Sequence, residues 1–164
     1  MFRATRYAFA AAMVAALFPL QGLAQLRLDR LETLSEEITA VVYARMVEEL
    51  AATGADSAAL AEAMPDPSWD DAFRDAGQCM LEAYDAEASA EAVDRMLSDM
   101  EDVLPRIAGA SLEEMEELGS FLPAGLTESD SLRINQQCGM MDLQRERMMQ
   151  SGFMEAMMAA TQGG

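Results

Sequence analysis

Apolar residues recur along most of this chain at intervals of three and four, the spacing that places them on one face of an α-helix. Leu31, Leu34, Ile38, Val41, Val42, Met46 and Leu50 keep that spacing and predict a first helix that ends at Gly54. Asp29, with Glu32 three residues on, has the form of a capping box, so this helix is expected to start near Asp29. A shorter helix follows from about Asp56 to Met64, stopped by Pro65. Asp66-Pro67-Ser68 should open the next, whose stripe is Trp69, Phe73, Ala76, Met80, Ala83 and Tyr84.

Another helix begins near Ser89 and presents Val93, Met96, Leu97, Met100, Val103 and Leu104, with Pro105 expected to end it. Ser111 with Glu114, and Thr127 with Asp130, give two further N-terminal signatures. The first starts a short helix to about Leu118. The second starts a long one from Glu128 to Gln150, with Ile134, Cys138, Met141 and Met148 inward and Arg145 along the same line. Ser151-Gly152 interrupts the pattern, and Phe153 to Ala160 is a last apolar helical segment. No stretch alternates with the period of a strand. The pattern predicts an all-α fold, a small bundle of five or six short helices.

The first 24 residues read differently. Arg3 and Arg6 precede an uncharged apolar run, Ala8 to Leu20, and Gly22-Leu23-Ala24 places small residues at −3 and −1 of a cleavage site. That is the layout of a secretory leader, with an apolar run short for a bilayer span. The expectation is an exported protein, periplasmic or secreted, cleaved after Ala24 and left with no stable membrane anchor. The remaining 140 residues, 25–164, match a single helical domain.

Composition narrows the chemistry. The portion after Ala24 holds nine arginines against 29 carboxylates, a net charge of −20. Such a surface repels nucleic acid and anionic lipid. The chain contains neither His nor Lys, so triads with an imidazole base, Schiff bases and phosphate-loop lysines are absent. The reading is non-catalytic, with no cofactor and an unknown protein as partner. A cofactor-free enzyme using carboxylates, Tyr43, Tyr84 or hydroxyls is the weakest of the alternatives.

Two cysteines, Cys79 and Cys138, allow one intramolecular pairing, and export favours it. Methionine is the unusual residue: seven fall between Met140 and Met158. Phe153, Met154, Met157 and Met158 are the candidate partner-binding surface, because flexible thioether faces adapt to apolar partners. Met148, Met154, Met157 and Met158 are the alternative, a Cu(I) site, since soft sulfur ligands without imidazole favour that ion. The acidic runs, such as Glu113 to Glu117, match no calcium loop and read as solvated helix faces.

Overall fold

The computed structural model describes residues 18–118 and 121–162. Among them are eight helices and no strand: α1 (Phe18–Ala52), α2 (Ser57–Ala63), α3 (Asp71–Glu87), α4 (Ala90–Ile107), α5 (Leu112–Glu117), α6 (Glu128–Gln137), α7 (Met140–Gln150) and α8 (Phe153–Gln162). The expected all-α bundle is therefore the fold. Most of the leader expected over residues 1–24 lies outside the described residues; its described end, Phe18–Ala24, is the first part of α1.

Helix starts follow the local chemistry closely. Asp56, Asp70, Ser89 and Thr127 each cap a helix by accepting backbone N–H bonds from its first turn. Thr127 with Asp130, and Ser111 with Glu114, bond reciprocally as capping boxes. The cap of α3 is Asp70, not the expected Asp66-Pro67-Ser68; Asp66 instead accepts the Ser68 N–H and shapes the turn before it.

Asp29 does not begin α1, which is helical from Phe18. Its carboxylate accepts from Gln25 and from Arg74 on α3, and Glu32 pairs with the same Arg74. Tertiary ion pairing has claimed both residues of the apparent box. From Gly22 onward, the first buried side chain on α1 is Leu28, while Leu23 and Leu26 are about 60% exposed. Ala24, at the end of the expected leader, is half-buried.

Pro105 lies inside α4 rather than ending it. Val103 and Ile107, on either side, are both buried, and packing carries the helix one short turn past the missing donor. The helix expected over Glu128–Gln150 is broken. Gly139 adopts φ +78°, a left-handed conformation that glycine reaches without steric cost, and so separates α6 from α7. The corner changes the helical phase. Met140 is buried at 4% exposure where Met141 was expected inward, Met141 is 42% exposed, and Arg145 points to solvent.

The principal core joins Leu28, Leu31 and Leu34 of α1 to Leu81 and Tyr84 of α3, Val93, Met96, Leu97 and Met100 of α4, and Ile134 of α6. A smaller cluster, Phe73, Ala76 and Met140, joins α3 to α7. Trp69 and Met80 pack against both. The Cys79–Cys138 disulfide ties α3 to the C-terminus of α6, with Cα atoms 5.7 Å apart. Helix α8 packs on α2 and α7. Arginines bridge the helices from outside: Arg27 of α1 holds Asp94 of α4 through two nitrogens at 2.7 and 2.8 Å, and Asp85 of α3 at 3.0 Å.

Candidate functional site

The side chains of α1 divide along its length. Up to Leu34 its inner face is covered by α3 and α4. Beyond that, Ser35, Ile38, Thr39, Val42 and Tyr43, which with Leu31 occupy one helix face, border a cleft of about 340 Å³. The opposite wall is one face of α7: Met140, Gln144, Arg147 and Met148. Trp69, Phe73 and Met80 form the floor, and Asn135 of α6 closes one end. The volume lies near the lower end for ligand pockets, and the lining is mainly apolar with a few polar groups.

The polar groups are held in place. Arg147 donates from one nitrogen to the Ser68 carbonyl at 2.5 Å and the Asp66 carbonyl at 3.0 Å, and from another to Asp70 at 3.0 Å. Its guanidinium lies 3.8 Å above the Phe73 ring centre, a cation–π contact. The Trp69 backbone N–H donates to the Glu36 carboxylate of α1 at 2.6 Å, which ties the segment before α3 to α1. Asn135 donates to the Ser131 carbonyl at 2.9 Å, and Tyr84 shares a hydrogen bond with the Ser131 hydroxyl at 2.9 Å. Both Arg147 and Asn135 are thus oriented before anything binds.

Titration is set by the same contacts. The Ser68 backbone N–H holds the Asp66 carboxyl below the usual carboxylate range, with the Arg147 cation assisting. The Phe73 N–H at the start of α3 does the same for Asp70. Burial pushes the Tyr43 phenol up, against a smaller pull from Arg147. Near neutrality Asp66 is an anion and Tyr43 a neutral phenol.

Gly77 fixes the floor. It is buried on α3, and a Cβ there would clash with the Trp69 Cζ3 and lie 2.7 Å from its Cη2 and 3.3 Å from the Leu28 Cδ1. Gly77→Ala is expected to push the indole out of place and lower stability by about 1–2 kcal/mol, although alanine is the better helix former by about 1 kcal/mol. Urea unfolding tests this; a variant as stable as the parent would show that the indole relocates freely.

The residues singled out in the sequence are divided between two places. Met148 is half-buried in the cleft wall. On α8, Met154 is 46% and Met158 54% exposed, Met157 is half-buried, and Phe153 is 1% exposed. Phe153 therefore anchors α8, and the methionines carry its outer face. Sequence reasoning did not single out Ser35, Thr39, Gln144 or Arg147. The available signal was their spacing: both walls recur at helical intervals with mixed polar and apolar character. No family model, curated protein or solved structure matches this chain.

Proposed function

We propose that the chain is an exported, periplasmic, non-catalytic binding protein that holds an apolar segment of a partner protein in the cleft between α1 and α7. The carrying observation is that cleft: two helix faces standing over an aromatic floor, with polar groups already held by intramolecular bonds. Preorganised polar groups around an apolar surface favour binding, because little ordering remains to be done. The α8 methionines extend the adaptable apolar surface beyond the cleft mouth.

Acid–base chemistry finds little support there. The carboxylate that lines the cleft is held in its charged form, and its cation is already committed to carbonyls and to Asp70. The paired cysteines and the leader-like first 24 residues support export. The excess of acid keeps nucleic acid out of the list of partners.

A photo-crosslinking amino acid placed at Thr39 or Met154 in the exporting cell should give the same discrete protein adduct. Placed at Arg95, exposed on α4 away from the cleft, it should not. Adducts that are absent, or identical from all three positions, would end this reading.

A Cu(I) protein is the second reading. Met154, Met157 and Met158 have the i, i+3, i+4 spacing that brings thioethers together on one side of α8, with Met148 on α7. A native mass spectrum after anaerobic addition of Cu(I) should then show one bound ion, lost when those three α8 methionines become Leu. Retention of the ion by that variant would remove the site.

A further inference from the structure

The exposed large apolar side chains among the described residues are Leu23, Leu26, Leu132, Met141, Met149, Met154 and Met158. The leucines lie at the start of α1 and on α6, whereas all four methionines lie on α7 and α8. Other methionines are hidden: Met96 and Met140 are each 4% exposed and Met100 7%. Leucine matches methionine in helix propensity and in apolar bulk. What methionine adds on a surface is a sulfur lone pair. Neither cysteine competes, since both are in the disulfide, and the chain has no histidine.

We infer that Met141, Met149, Met154 and Met158 are modification sites, converted to sulfoxides by hydrogen peroxide or a related peroxide before the core is touched. The step balances without a cofactor. The thioether lone pair attacks one peroxide oxygen, an S–O bond forms and the O–O bond breaks. The departing hydroxide collects the proton of the transferred oxygen and leaves as water. Sulfur is oxidised by two electrons and the peroxide is reduced by two.

Placement decides the consequence. A sulfoxide is polar and can be reduced back. On the outer sides of α7 and α8 its oxygen meets water, so the fold bears it. At Met96 or Met100 the same oxygen would sit among the apolar side chains of the principal core. The arrangement lets the protein consume four equivalents of oxidant on its C-terminal helices while its core methionines stay reduced. This requires only solvent-exposed methionine side chains and is independent of what the cleft holds.

The test is a titration of the folded protein with limiting hydrogen peroxide, mapped by peptide mass spectrometry. The first four oxygens are expected on Met141, Met149, Met154 and Met158, entering at least about tenfold faster than at Met96, Met100 or Met140. Thermal unfolding of the four-oxygen species should stay close to that of the untreated protein. The variant Met141→Leu, Met149→Leu, Met154→Leu, Met158→Leu should fold as the parent does. At the same peroxide dose it should take oxygen into the core and melt lower. Oxygen spread evenly over buried and exposed methionines, collapse of the parent on taking four oxygens, or equal tolerance in the leucine variant would each overturn the assignment.

Discussion

Opening the Cys79–Cys138 bond, by reductant or as the double variant Cys79→Ser, Cys138→Ser, is expected to lower the unfolding free energy by roughly 4 kcal/mol. The bond closes a chain segment with a sequence separation of 59, and that figure follows from the entropy such a loop regains in the unfolded state. It is a large share of the 5–15 kcal/mol that holds a domain of this size together. Location adds to the effect. Cys138 closes α6 immediately before the Gly139 corner, so the bond pins to α3 the point at which the chain turns into α7. Without it the corner is held mainly by Ile134 and Met140 on either side. Cys79 is exposed, so reductant has a path to the bond. Urea unfolding with and without dithiothreitol measures the difference. Coincident curves would mean that packing alone holds the corner.

Phe153→Ala is expected to release α8. The ring is 1% exposed at the first residue of that helix, and truncating a buried phenylalanine costs about 3–5 kcal/mol. Helix α8 has ten residues and too little intrinsic stability to persist once its anchor is gone. Amide exchange across α8 should accelerate by about a hundredfold or more, while exchange in α4, within the principal core, changes little. Met154→Ala, on the exposed side, should shift stability by less than about 0.5 kcal/mol and serves as the control. Equal exchange in Phe153→Ala and the parent would show that Leu60 of α2 and the α7 contacts hold α8 unaided. The pair of variants also separates the two roles that the sequence pattern merged on this segment, anchoring and display.

Much of the secondary structure was legible because its signals are local. A cap needs only an oxygen on the right side chain and a helix behind it, and Asp56, Ser89, Ser111 and Thr127 all mark starts that the structure has. The disulfide was legible because two cysteines leave one choice. The failures have tertiary causes. Asp29 and Glu32 look like a cap and are partners for Arg74, which is 45 residues away from Asp29. Gly139 lies within an unbroken helical pattern, and nothing nearby announced its left-handed conformation. That single residue moved the inward position from Met141 to Met140. Pro105 obeyed the packing of Ile107 rather than its own tendency to end a helix.

The walls of the cleft were not legible as such. Both are ordinary amphipathic faces, and each would pass for core in isolation. What makes them a cleft is that α3 and the Arg147 contacts hold α7 apart from the second half of α1. The methionines of α8 were recognised as unusual, but periodicity alone did not reveal which of them faces out or that Phe153 faces in.

Trp69 is the single tryptophan of the chain, and it forms part of the cleft floor, its backbone N–H bonded to Glu36 and its ring tilted 45° to the Phe73 ring at 6.2 Å. The near-ultraviolet emission of the unlabelled protein is therefore a local optical record. Excited to the red of the three tyrosines, this one indole, at one known place, changes colour and lifetime with whatever enters, leaves or wets the space between α1 and α7.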